Sequence, residues 1–145
     1  MHVRVQEADF TLADILDGFA SAPDTGATVS FTGIVRDDTG DLLHMEIEHY
    51  PGMCEAAIEG IVAQATQRWS LTDCRVVHRF GRLSPGAQIM MVATAARHRA
   101  EAFEAAEYLM DYLKSRAPFW KKEVRRSGED WVAAKSSDED ALDRW

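Results

Sequence analysis

YLKSRAPFWKKEVRR, residues 112–126, decides how the rest of the chain is read. It holds Lys114, Arg116, Lys121, Lys122, Arg125 and Arg126 against one acid, Glu123, so it carries +5 while the other 130 residues sum to −13. Pro118 stands in its middle. Proline lacks the amide donor and its ring clashes with the preceding turn, so a helix does not run on through it. The stretch predicts a helix that delivers Lys114 in its last turn, a break at Ala117 and Pro118, and an extended segment from Phe119 that returns Lys121 toward the same place. Two ammonium groups at one bend attract an anion.

Upstream, the helix extends back over 100–116 and buries Ala102, Phe103, Ala106, Leu109, Met110 and Leu113 at helical spacing. Before it, 75–83 and 88–95 form a strand, turn, strand unit around Ser84, Pro85 and Gly86; the second strand is nearly all apolar and so central. A helix opening at Pro51 and Gly52 carries Cys54, Ala57, Ile58, Ile61, Val62, Ala65 and Trp69 on one stripe. Residues 27–36 and 42–50 are expected as an antiparallel hairpin with a mobile polar tip, Leu43, Met45, Ile47 and His49 lining one face of the second strand. Nearer the start, 2–6 is a short strand and 11–20 an amphipathic helix with Leu12, Ile15, Leu16 and Phe19 inward. Downstream, 119–124 and 131–134 are short strands joined through Ser127, Gly128 and Glu129. The acidic end, 136–145, is expected to order only on assembly. The expected fold is one α+β domain over 1–145, with antiparallel strands, two long helices and a short N-terminal one.

At 145 residues, 46% hydrophobic and 28% charged, the chain can bury a core of its own. No apolar run approaches the ~20 residues of a membrane span, and the start lacks a signal peptide's basic-then-apolar order, so the expected compartment is the cytoplasm. Cys54 and Cys74 have no metal-ligand spacing and are expected as small buried apolar residues, with no metal and no cofactor. A net charge of −8 argues against wrapping nucleic acid.

Several positions can carry chemistry. Lys114 lies at the edge of the apolar stripe, where it is either a partner of the helix dipole or an amine held at a cavity. Lys121 changes the balance, because a second nearby ammonium lowers the pKa of the first, while the helix terminus favours the charged form. His98 and Arg99 stand at the start of the second long helix, as a solvated pair or an anion site. Arg36 ends a strand at the lip of a loop, facing water or a phosphate.

Taken together, FTGIVR (31–36), HYPGM (49–53), HRFGRLSPG (78–86), HRAEAFEA (98–105), MDYLKSRAPFWKKE (110–123) and WVAA (131–134) resemble, in order and spacing, the large catalytic subunit family of molybdopterin synthase. The resemblance covers nearly the whole chain and implies an α/β hammerhead-like fold. It also implies a sulfurtransferase of molybdenum-cofactor biosynthesis. In that family a small ubiquitin-like carrier subunit brings sulfur as a thiocarboxylate on its C-terminal Gly-Gly tail. Two sulfurs pass in turn to cyclic pyranopterin monophosphate, and two large subunits form a homodimer at the centre of a heterotetramer.

By the same resemblance the essential lysine falls on Lys114 and the second on Lys121, with Lys122 and Glu123 beside the substrate. The substrate-contacting His and Arg fall on His98 and Arg99, the strand-end arginine on Arg36, and Ile34 and Val35 line the approach. Lys135 stands where some relatives place an arginine that reaches the neighbouring subunit, and Ile34 where relatives often carry lysine; both lower the pocket's capacity for charge or for bidentate bonds. The expected arrangement gathers these cations into one cup for an anionic small molecule, with Lys114 acting at the carbon that receives sulfur. Two other readings exist: a non-catalytic module that grips the glycine tail of a ubiquitin-like protein, and a single-strand nucleic-acid binder using Phe119 and Trp120, which the acidic balance disfavours. Phe119 and Trp120 are expected in the core.

Overall fold

The structure is a computed structural model that describes residues 2–132 and 136–145. The strand expected at Ala133 and Ala134, and Lys135, lie outside the described residues. In chain order the elements are β1 (His2–Gln6), α1 (Leu12–Ile15), β2 (Ala27–Ile34), β3 (Leu42–His49), α2 (Met53–Trp69), β4 (Asp73–Arg79), β5 (Gly81–Leu83), β6 (Gln88–Ala96), α3 (Arg99–Arg116), β7 (Phe119–Arg125), β8 (Gly128–Trp131), α4 (Ser136–Ala141) and a 3₁₀ turn (Leu142–Arg144). The fold is mixed α+β, as the hydrophobic patterning predicts.

The strands divide into two sheets, ordered β1-β4-β6-β2 and β5-β3-β7-β8. β1 runs parallel to β4, and every other pairing is antiparallel. β6 lies inside the first sheet and is buried from Ile89 to Ala96, as its apolar composition requires. α2 and α3 cover one face of that sheet, placing Ile58, Val62, Ala65, Leu109 and Leu113 against Val76 and Val92. On the other face Phe10, Ile15, Leu16 and Phe19 pack over Val77, Met91 and Ala93. The 75–83 segment changes sheets at Gly81, whose φ of +89° is open to glycine without strain. One length of chain thus supplies β4 to the first sheet and β5 to the second.

Several expectations are corrected. β2 and β3 do not form a hairpin; they belong to different sheets, β2 pairing with β6 and β3 with β5 and β7. A register shift at Gly33 and Ile34 ends β2, and Val35 instead exchanges backbone bonds with Ala87 and Gly86. A second shift between Leu42 and His44 turns Leu42 inward and leaves Leu43 exposed. The expected 11–20 helix stops at Ile15, because Arg75 Nη1 takes the carbonyls of Ile15 and Asp17 at 2.5 and 2.7 Å and Gly18 and Ala20 turn to positive φ. Phe103, expected in the core, is 61% exposed, on the side of α3 that faces the open β2 edge, and Trp120 is exposed on β7.

The acidic end does not stand free. Trp145 packs edge-on against Trp69 and Tyr108, its Nε1 donates to Asp111, and Arg144 bridges Glu107 and Asp111. Ser115 Oγ donates to the Asp138 carbonyl and Arg116 pairs with Glu139, so α4 lies against the end of α3.

Candidate active site

α3 begins at His98, its N-cap in extended conformation, and ends at Ala117, which is again extended because Pro118 follows. The chain reverses there. Phe119 N–H donates to the Ala117 carbonyl at 2.8 Å, and the buried Cys54 thiol donates to the Pro118 carbonyl at 3.1 Å. β7 then runs antiparallel to β3, with Phe119 opposite His49 and Lys121 opposite Ile47.

This reversal brings Lys121 beside Lys114. Burial, and next the charge of Lys114, hold the Lys121 amine below the usual lysine range, and the Asp138 carboxylate partly opposes them. The sequence points to the second cause; the first and larger one comes from packing. Lys114 itself is exposed at the helix end.

Beneath the lysines lies a stack of four rings. His78 lies face to face with Phe119 (centroids 3.7 Å apart, planes at 14°), and His49 stacks on Phe119 at 6.4 Å and on Phe80 at 4.0 Å. Burial, followed by the nearby charges of Lys121 and His49, pushes the His78 imidazole down to about 3 against a raising contribution from its hydrogen bond to Arg79. His78, Cys54 and Asp138 are neighbours to which the sequence reading gave no place at the site. The signals for them are that His78 is a polar residue near the end of an apolar strand and heads the HRFGRLSPG motif, and that Cys54 lies on the buried stripe of α2.

The remaining expected site residues divide. β2 runs in the same direction as α3 beside it, so Arg36 emerges at the end where α3 terminates; its guanidinium is 77% exposed and pairs with Asp38 at 3.3 Å. His98 and Arg99 stand at the other end of α3, and at 1.5 Å per residue His98 is about 24 Å from Lys114. A single chain therefore does not gather all these cations into one cup. The physical reason is the helix itself, a rigid rod that separates its two ends.

The other expected site residues differ in side-chain direction. Val35 is buried in the core, while Ile34 is exposed. Lys122 projects from the opposite face of β7 to Lys121, pairing with Glu46 at 3.2 Å and Glu129 at 3.4 Å over the Trp131 ring. Glu123 is engaged by Arg125 at 2.7 Å.

Comparison with known proteins agrees with the motif order. The family model described as MoaE protein matches residues 5–116. A molybdopterin synthase catalytic subunit from Cereibacter sphaeroides is 62% identical over the whole of both chains. Among solved structures, a molybdopterin biosynthesis MoaE protein from Burkholderia ambifaria is 50% identical, with a TM-score of 0.85 over 99% of this chain and 97% of that one. Molybdopterin synthase from Staphylococcus aureus is 29% identical, with a TM-score of 0.82 over 89% and 95% of the two chains.

Proposed function

The chain belongs to the MoaE protein family, and from that membership we propose how its residues perform the work of a molybdopterin synthase catalytic subunit. It is a sulfurtransferase of molybdenum-cofactor biosynthesis. Cyclic pyranopterin monophosphate is its substrate, and a small ubiquitin-like subunit bearing a C-terminal thiocarboxylate is its partner and sulfur source. No helix among the described residues is long and apolar enough to cross a membrane, and the proposed place of work is the cytoplasm.

The observation that carries the site assignment is the sheltered Lys121 amine next to Lys114. The carrier's sulfur attacks the pterin carbon, forming the C–S bond as that carbon's bond to oxygen breaks, the oxygen leaving as water or with the phosphate, and the carrier stays joined as a thioester. Water then cleaves the acyl–sulfur bond, releasing the carrier as a carboxylate. A second carrier repeats the step to complete the dithiolene. Lys114 acts at the receiving carbon as acid and base, or stabilises the oxyanion of the tetrahedral intermediate. Lys121, held below the usual range, exchanges a proton more readily at neutral pH than an ordinary lysine. No cysteine of this chain takes part, because the sulfur arrives on the partner.

His98 and Arg99 join this site from a second copy. What supports this is the open β2 edge and the apolar side of α3 beside it: Phe31 and Phe103 are exposed at 43% and 61%, bordering a cavity of about 370 Å³ with Val29 and Met110. A two-fold axis across this face runs the two α3 helices in opposite directions, bringing the His98 end of one beside the Lys114 end of the other. Arg36, His98 and Arg99 then hold the phosphate while the lysines meet the reacting carbon, and Ile34 lines the way in. Lys135 is proposed to add its charge to the neighbouring copy's pocket.

Incubation with thiocarboxylated carrier and cyclic pyranopterin monophosphate tests the reading. The enzyme consumes two thiocarboxylates per molybdopterin formed; a protein that binds the carrier tail and consumes none is a binding module instead.

A further inference from the structure

The corner that leads from β6 into α3 carries His98 and Arg99, and its backbone is held from both sides. Thr72 N–H donates to the Ala95 carbonyl at 2.8 Å and Gly26 N–H to the Ala96 carbonyl at 2.9 Å. These two contacts are themselves joined, because the Thr25 and Thr72 hydroxyls share a hydrogen bond of 2.6 Å. On the inner side the buried Thr94 hydroxyl donates to the Ala102 carbonyl at 2.7 Å and ties the first turn of α3 back to β6. The side chains beyond are left open. Arg97, His98 and Arg99 are exposed, and the His98 imidazole makes no capping bond.

Gly26 makes the tightest of these contacts. It stands one residue before Ala27, the partner of Ala96, and so lies opposite Arg97. A Cβ at Gly26 would sit 2.2 Å from the Arg97 carbonyl oxygen and 3.3 Å from its carbon. Both atoms are backbone, so no change of rotamer relieves the overlap; the corner itself must shift by about 1 Å to reach ordinary contact. Gly26 does not have a positive φ, so space alone, and not backbone strain, demands glycine here.

We propose that Gly26 is a positioning residue for the His98 and Arg99 pair: having no side chain, it lets the entry to β2 seat against the Arg97 carbonyl and so fixes where the two cations leave the fold. The inference rests on the reading in which that pair meets the substrate phosphate in the neighbouring copy's pocket. Hydrogen bonds from a guanidinium to a phosphate depend on direction as well as distance, so a corner displaced by about 1 Å loses most of their strength although both cations are still present.

The test begins with binding rather than turnover. Affinity of the full chain for cyclic pyranopterin monophosphate, measured by anaerobic calorimetry without the carrier, is compared for wild type, G26A, H98A/R99A and G26A/H98A/R99A. KM and kcat for the same substrate follow in the assembled two-subunit enzyme. G26A is expected to weaken binding about tenfold and to raise KM by the same factor, with kcat within about threefold of wild type. The triple variant binds no more weakly than H98A/R99A, because the displaced corner has no cations left to misplace. A further loss of about tenfold in the triple variant marks a general disturbance of the fold and overturns the proposal. Wild-type affinity in folded G26A, with H98A/R99A weakened, overturns it too and leaves the functional reading standing. Wild-type affinity in H98A/R99A defeats the placement of that pair, and the positioning role falls with it. Should G26A not fold, T25V, which removes the hydroxyl tie to Thr72 at little change of volume, decides. Binding weakened about threefold, with no added loss on the H98A/R99A background, supports the proposal, and wild-type affinity overturns it.

Discussion

The two ends of α3 are opposite in character. At its C-terminal end the chain folds back on Pro118, and Lys114, Lys121, His78 and Asp138 crowd around a reversal pinned by Cys54 and a ring stack. At its N-terminal end His98 and Arg99 are exposed, and the N-cap makes no side-chain hydrogen bond. One end is built by this chain's own packing; the other is left open for something else to complete. The difference teaches that a cluster of cations recognised along a sequence need not be a cluster within one copy of the fold.

The largest effect expected is on the built end. K114A lowers sulfur transfer about 10³-fold or more and K121A about 10²-fold, without loss of fold or carrier binding, as loss of a group acting in the transition state does. Turnover and carrier titration measure both, and normal turnover by K114A removes that amine from the mechanism.

Mixing sharpens the comparison of the two ends. K114A and R99A chains are each inactive alone, but random reassembly places an intact Lys114 opposite an intact Arg99 at one site in every mixed dimer. About a quarter of wild-type activity then returns, a consequence of two-fold pairing. No recovery means that the site is built within one chain.

The buried histidine gives a pH signature. Its folded value, about 3, lies below its ordinary 6.5, so the unfolded chain binds more protons between these limits. Stability is therefore whole above about pH 6.5 and falls as acid carries the protein toward pH 3, by on the order of 4 kcal/mol from this residue. Asp9, Asp41 and Glu46, whose carboxyls are held down chiefly by hydrogen bonds, lose their contributions in the same direction at lower pH. Chemical denaturation from pH 8 to 4 measures the slope, and H78F flattens it above pH 5.

Smaller effects belong to residues that are near the site in sequence but turned from it. K122A changes kcat/KM by less than about threefold, because Lys122 is spent on Glu46 and Glu129 across the other face of β7. A larger loss in steady-state assays moves Lys122 into the site. The C54S/C74S double variant keeps sulfur transfer while losing about 1–3 kcal/mol of stability, since both thiols are buried and free. Abolished transfer in a folded double variant would make the chain itself a sulfur carrier.

Much of the fold was legible from local signals. The apolar stripe of α2, the all-apolar β6 and the break at Pro118 stand where periodicity and proline chemistry put them. The separation of β2 and β3 into different sheets was not legible, because both strands alternate acceptably and sequence proximity argued for pairing. The competing partner, β6, satisfies β2 better, and nothing local announces that. Phe103 misled because helical spacing marks an apolar face without saying whether the chain's own sheet covers it. In the site, lysine spacing around proline pointed to Lys114 and Lys121, whereas His78 stood at the head of HRFGRLSPG with nothing in that motif to say that it packs against Phe119.

Sequence alone determined the kinds of element, the location of the bend, the gathering of positive charge in 112–126 and the family, because propensities, proline geometry and motif order are properties of neighbouring residues. Tertiary structure alone decided which sheet each strand joins, that burial outweighs charge at Lys121, that Lys122 faces away, and that His98 stands a helix length from Lys114. Those outcomes depend on desolvation and on pairings between segments far apart in the chain, and such energies exist only once the segments have met.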